Sequence, residues 1–133
     1  MIDIEQDVYD LVSAAVLEVS PGAFVVSKET RTPSKFPCVS IVEADNRVLE
    51  RTQDSGSRER HVSLMYEINV YSNKQNGGKS ECKAILEVID ETLMYKGFTR
   101  TMKRPISMDD ATKYRLIARY TAIADENKVI YRR

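Results

Sequence analysis

Tryptophan is absent from this chain of 133 residues, histidine occurs once, and cysteine occurs only twice. One histidine leaves imidazole-based acid–base or nucleophilic chemistry a single candidate, His61. It opens a strand-like run after Arg58-Glu59-Arg60, with no serine or cysteine in a recognisable setting nearby, and reads as a surface or edge residue. The cysteines, Cys38 and Cys82, are too few for a disulfide framework, and their separation fits no metal motif. Each lies among apolar neighbours, which predicts two buried, reduced thiols. Net charge is missing as well: 20 Lys and Arg balance 20 Asp and Glu, which argues against a freely acting polyanion binder. No apolar run approaches the roughly 18 residues of a membrane-spanning helix. The start Met1-Ile2-Asp3-Ile4-Glu5 is acidic, unlike a signal peptide, so no membrane partner is expected.

What remains is ordinary for a globular protein: 42% hydrophobic and 30% charged residues. The length fits one domain, 1–133, with a real core. The neutral total conceals a division. Residues 1–95 hold ten basic and sixteen acidic side chains, whereas residues 96–133 hold ten basic and four acidic ones. Two outcomes are open. The fold can keep the division as a polarised surface through which copies attract head to tail, or strands from both parts can interleave and mix the charge.

Periodicity orders the elements. Ile4, Val8, Leu11, Val12, Ala15 and Val16 recur at spacings of three and four, predicting a helix over 2–18 with Asp3, Glu5 and Asp7 in its first turn. Ser20-Pro21-Gly22 stops it. Ala23–Lys28 and Cys38–Ala44 read as strands separated by a proline-containing loop. Asp45–Arg60 loses all periodicity, with four basic and four acidic residues, and reads as a long charged loop or an extended hairpin arm. His61–Tyr71 alternates, with Val62, Leu64, Tyr66, Ile68 and Val70 on one face, as expected of a half-buried antiparallel strand. A second helix is expected from Ser80 to Tyr95, with Cys82, Ile85, Leu86, Ile89 and Leu93 inward and Gly97 as its C-terminal cap. Phe98–Met108 is a polar strand that Pro105 confines to an edge or bulge. Lys113–Ala124 alternates again, and Lys128–Arg133 is a short closing strand or tail. The expected fold class is α+β: two amphipathic helices on one face of a mainly antiparallel sheet, with a long charged loop or hairpin arm.

No catalytic constellation emerges. Gly77-Gly78-Lys79-Ser80 imitates a phosphate-binding loop, but such a loop needs a further glycine where Asn73 stands. Here the glycines turn the chain and Ser80 is expected to cap the helix. Asp109-Asp110 and Asp125-Glu126 lack calcium-loop spacing and read as turn residues. Tyr114 and Tyr120 fall on the face opposite Arg115 and Arg119, which separates base stacking from phosphate contact and disfavours a nucleic-acid platform. No enzyme activity, metal or cofactor is expected.

Several strings resemble the tail terminator (tail completion) proteins of long-tailed bacteriophages and related prophages. These are Phe36-Pro37-Cys38-Val39-Ser40-Ile41 before the charged loop, the strand ending Tyr66-Glu67-Ile68-Asn69-Val70-Tyr71-Ser72-Asn73, the helix Gly78–Leu93, Gly97-Phe98, and the stretch from Tyr120-Thr121-Ala122 to Ile130-Tyr131-Arg132-Arg133. The likeness extends over nearly the whole chain and carries no active-site motif. It implies a non-enzymatic virion protein, made in the host bacterial cytoplasm, that assembles as a hexameric ring at the head-proximal end of the tail. Such a ring ends tube growth and offers a surface for head–tail joining. The implied partners are further copies of the chain, the tail tube protein and a head–tail connector protein, with DNA passing through the ring without specific binding. On that reading Arg47, Glu50, Arg51, Asp54, Arg58 and Arg60 of the charged loop are candidates for subunit or tail-tube contact. A stopper or adaptor of the same joint, or a small nucleic-acid-binding α+β domain, are the alternatives.

Overall fold

A computed structural model describes residues 1–49 and 61–131. Among these, two helices lie against one face of a six-stranded, mostly antiparallel sheet, the α+β arrangement expected from the periodicities.

Helix α1 (Glu5–Val19) buries Val8, Val12 and Val16, and begins later than the apolar stripe suggests. Ile2 and Ile4 are buried ahead of it in irregular chain. Asp3 Oδ1 accepts the Glu5 N–H at 3.0 Å, a local turn that leads into the first helical residues. Helix α2 (Gly78–Lys96) buries Cys82, Ile85, Leu86, Ile89 and Leu93 as predicted. It starts two residues before the expected Ser80, and Ser80 is not its cap. Gly77, at φ 88°, turns the chain directly into the helix, so Ser80 falls within the first turn. At the other end Gly97, at φ 115°, closes the helix as expected. Its N–H donates to Met94 O at 3.1 Å, and the Phe98 N–H donates to Leu93 O at 2.9 Å.

The strands are β1 (Phe24–Val26), β2 (Cys38–Val48), β3 (His61–Ser72), β4 (Thr99–Ile106), β5 (Tyr114–Asp125) and β6 (Ile130–Tyr131). Their order is β1-β2-β3-β5-β4, and β6 pairs with β5 on the same side as β4. Only β1 runs parallel to its neighbour, beside Cys38–Ser40. Strand β4 is an edge, as Pro105 required.

The charged segment 45–60, read as a loop or an extended hairpin arm, begins as the latter. Residues 45–48 belong to β2, which stays paired with β3 from Cys38↔Tyr71 to Val48↔Val62. A bulge at Ala44 resets the alternation, so that Asn46 and Val48 lie opposite Leu64 and Val62 while Asp45 and Arg47 take the other face and are exposed. The extra residue hides the period of two from a reader counting alternate positions. Residues 50–60 of that segment lie outside the described residues.

The core sits between the helices and the inward face of β2, β3 and β5. Tyr66, Ile68, Tyr120, Leu116, Phe98 and Leu93 are fully or almost fully buried there, with Tyr66 edge-on to Phe98 at 5.9 Å between ring centres. Leu93→Ala opens a cavity in this layer and should cost about 2–5 kcal/mol of unfolding free energy, read by denaturant titration. Both thiols are buried as expected; burial pushes Cys38 up to about 11 and Cys82 up to about 12. Because the thiolate is the reactive form, neither should react with a disulfide reagent at neutral pH until the protein is unfolded, when both should react.

Candidate functional site

Several residues singled out by their chemistry find structural partners, although the buried His61 Nδ1 has none among the described residues. His61 Nε2 lies 3.0 Å from Tyr131 Oη, and Tyr131 Oη donates to Asp125 Oδ2 at 3.2 Å. The group closes one end of the sheet, where His61 and Asp125 are cross-strand partners. Asp125 Oδ1 accepts the N–H groups of Asn127 and Val129 at 2.9 and 3.0 Å, and those backbone donors, with that of Val129 foremost, hold its carboxyl below the usual carboxylate range. Asp110 organises its own turn by accepting from the Thr112 hydroxyl and N–H at 2.6 and 2.9 Å. One member of each acidic pair, Asp110 and Asp125, thus organises a turn, as expected. Among the described residues no group of three or more His, Cys, Asp or Glu side chains is placed to hold a metal ion.

Gly77-Gly78-Lys79-Ser80 follows an antiparallel strand and serves as the entry to α2. Glu81 in that first turn accepts from Ser72 Oγ at 2.6 Å and approaches Lys74 Nζ at 3.9 Å, ordering the connection. The tyrosine–arginine separation on β5 holds. Tyr120 and Tyr114 belong to the helix side, whereas Arg115 and Arg119 lie on the opposite face. Arg119 Nε meets Glu67 Oε2 at 3.1 Å. Arg115 Nε donates to Asn69 Oδ1 at 2.9 Å, and its guanidinium rests 5.2 Å from the Tyr71 ring centre.

The sheet also carries a polar row that the pattern reading missed. Glu43, Tyr66, Tyr120 and Arg100 are successive cross-strand partners on β2, β3, β5 and β4. Tyr66 Oη donates to Glu43 Oε1 at 3.3 Å, whereas Tyr120 Oη donates to Asp90 Oδ1 of α2 at 2.7 Å. Arg100 Nη1 reaches the same Asp90 oxygen at 2.9 Å. Burial, followed for each by its neighbouring carboxylate, pushes both phenols far above the ordinary tyrosine range. Both hydroxyls therefore serve as permanent donors. A signal for Glu43 was present: it follows Val39 and Ile41 at inward-facing parity in Cys38–Ala44, where a carboxylate needs a buried donor.

The two flanks of the sheet differ in charge. At the β2 flank, Asn46 Nδ2 donates to Ile2 O at 2.9 Å and to Glu43 Oε1 at 3.3 Å. This pins the N-terminal stretch beside β2 and gathers Asp3 and Glu5 near Glu43, while Asp45 follows on the other face of the strand. Desolvation foremost, then the nearby Asp3 and Glu5, raise the Glu43 carboxyl above its ordinary range, against the opposing effect of the Asn46 and Tyr66 donors. At the β4 flank stand Arg100, Lys103 and Arg104. Of the loop residues expected to make contacts, Arg47 is exposed on β2, on the same face as Asp45. Glu50, Arg51, Asp54, Arg58 and Arg60 lie outside the described residues.

No protein-family model matches the chain, and no curated protein matches it in sequence. Solved structures do. One similar chain comes from the virion of a native gene transfer agent particle, at a TM-score of 0.66 and 17% identity over 90% of this chain and 92% of the other. At that identity the likeness establishes a shared fold, and it extends over nearly the full length of both chains.

The raised Glu43 carboxyl has a pH consequence. A folded-state pKa above the unfolded one means the contribution is most favourable while the group is protonated and is lost as pH rises through the folded value. Glu43→Gln keeps an acceptor for Tyr66 and removes the ionisation. The variant should be at least as stable as the parent at neutral pH, with any advantage disappearing below the ordinary glutamate range, as read by thermal melts across pH.

Proposed function

We propose that this chain is a structural protein of a phage-like virion, and within that class a tail terminator. As a hexameric ring on the last disc of the tail tube, it ends tube growth and presents the surface on which the head connector docks. The observation that carries the reading is the full-length structural likeness to a chain of a gene transfer agent virion. Agreement with the strings that resemble tail terminators adds to it, from Phe36-Pro37-Cys38 through the β3 sequence to Gly97-Phe98. The chemistry is compatible: His61 Nε2, Asp110 and Asp125 are engaged by neighbouring groups of the fold, which suits a protein that works by assembly. Two helices on an open sheet also differ from the barrel-rich or helix-rich architecture that would favour a stopper or adaptor.

The charged segment supplies the proposed contacts. Arg47, Glu50, Arg51, Asp54, Arg58 and Arg60 follow the point where β2 leaves its bulge, and mixed charges there can set register against the tube or a neighbouring subunit.

The direct test is electron microscopy of purified tail tubes incubated with the protein. A ring at one end of each tube, and tubes that no longer elongate, is the expected result; unmodified, still-growing ends would overturn the assignment. Replacing Arg47, Arg51 and Arg58 together with Glu should preserve the far-ultraviolet circular dichroism and abolish tail completion. Completion at the wild-type level by that variant would remove the segment from the interface.

A further inference from the structure

The sequence left open whether its division of charge survives folding, and the structure answers in part. Much of it is cancelled inside the molecule: Arg119 of the basic part meets Glu67, and Arg100 meets Asp90. Among the charges that make no ion pair with a described residue, which also include Arg47 on β2 and Lys83, Glu87 and Glu91 on α2, two sets stand at opposite edges of the sheet. Asp3, Glu5 and Asp45 make no ion pair with any described residue, and neither do Lys103 and Arg104. Asp3 and Asp45 are exposed at the β2 flank, and Lys103 and Arg104 are exposed on β4, the far edge.

Both edges also have backbone available. Beyond Ser40, no described strand pairs with the outer side of β2, and none pairs with the outer side of β4. Neither suits simple strand addition. β2 is bulged at Ala44; β4 is bulged at Thr101 and carries Pro105, devices that blunt an edge against unregulated pairing. Recognition at these edges therefore falls to the charged side chains. The levels match too: Glu43, beside Asp45, is joined through Tyr66 and Tyr120 to Arg100, so the acidic group and the start of the basic edge lie on one line across the sheet.

We infer that the occupant of each edge is a second copy of this chain, the Asp3–Glu5–Asp45 flank of one subunit docking on the Lys103–Arg104 edge of the next. Two different, complementary surfaces on opposite sides of one molecule make a heterologous contact, which closes into a ring when the rotation per subunit allows and otherwise propagates as a filament. This deepens the ring reading proposed above and rests on it for the closure, although the charge contact can be tested by itself. Each subunit satisfies its acidic flank and its basic edge with two different neighbours, so a neutral chain self-associates without a charged excess.

Charge exchange supplies the test. In the variant Asp3→Lys/Asp45→Lys both edges are basic, and in Lys103→Glu/Arg104→Glu both are acidic. All four positions are exposed, so circular dichroism should match the parent, with melting lowered only in the Asp3→Lys/Asp45→Lys variant, which loses the carboxylate acceptors of the Glu5 and Asn46 N–H groups. Sedimentation velocity on the full chain at low salt should show concentration-dependent association that weakens as salt rises. Each double variant alone should associate at least about tenfold more weakly than the parent. An equimolar mixture of the two should recover association, because alternating copies restore every contact, and the quadruple variant should recover it alone. A parent that stays monomeric up to the highest concentration, association that ignores both reversals, or a mixture that fails to recover would each overturn the inference. Rings on tube ends that survive the reversals would refute this interface and leave the terminator reading standing. Reversal-sensitive association with bare tube ends would do the opposite.

Discussion

Two tyrosines side by side in the middle of a sheet impose the constraint on which much of this architecture depends. Tyr66 and Tyr120 are fully buried cross-strand neighbours, and each hydroxyl needs a partner that the apolar core does not contain. The pair resolves this in opposite directions. Tyr66 reaches out to Glu43 on β2, and Tyr120 reaches up to Asp90 on α2. The first contact holds a carboxylate at the point where β2 bulges, and Asn46 then ties the N-terminal stretch to the same carboxylate. The second sets α2 over β5, with Arg100 of β4 closing on the same Asp90 oxygen. One row of side chains thereby links both edges of the sheet to the helical layer.

Most of the architecture was legible where burial imposes a period. The α1 stripe of Val8, Val12 and Val16, the inward alternation of β3 and the glycine stop at Gly97 all appear where the spacing puts them. Legibility failed where one residue breaks the count. The bulge at Ala44 breaks the alternation, so that the sequence left a loop and a hairpin arm both open for Asp45–Val48, which continue the strand. At the start of α2, a glycine with positive φ replaced the side-chain cap expected from Ser80. The polar row was invisible for a different reason: the partners Glu43, Tyr66, Tyr120 and Asp90 are far apart in sequence and meet only through strand register and helix placement. No motif encodes such a set.

The charge division shows how folding acts on composition. Pairing β3 against β5 brings the acidic and basic parts of the chain into contact, and there Glu67 and Arg119 cancel. At the sheet margins the cancellation is partial: Arg100 of β4 meets Asp90, whereas Lys103 and Arg104 make no ion pair with a described residue. Position in the strand order, more than position in the sequence, decides which charges remain available to another molecule.

Arg115 obeys neither rule. It is fixed by an amide oxygen from Asn69 and by the face of Tyr71, neither of which carries a formal charge. The side chain is thereby oriented without being neutralised. On the sheet face away from the helices it acts as a stationary point source of positive potential, felt by a passing anion or a neighbouring surface out to roughly the screening length of about 8 Å at physiological salt. A salt bridge in its place would have supplied the same rigidity and extinguished the field.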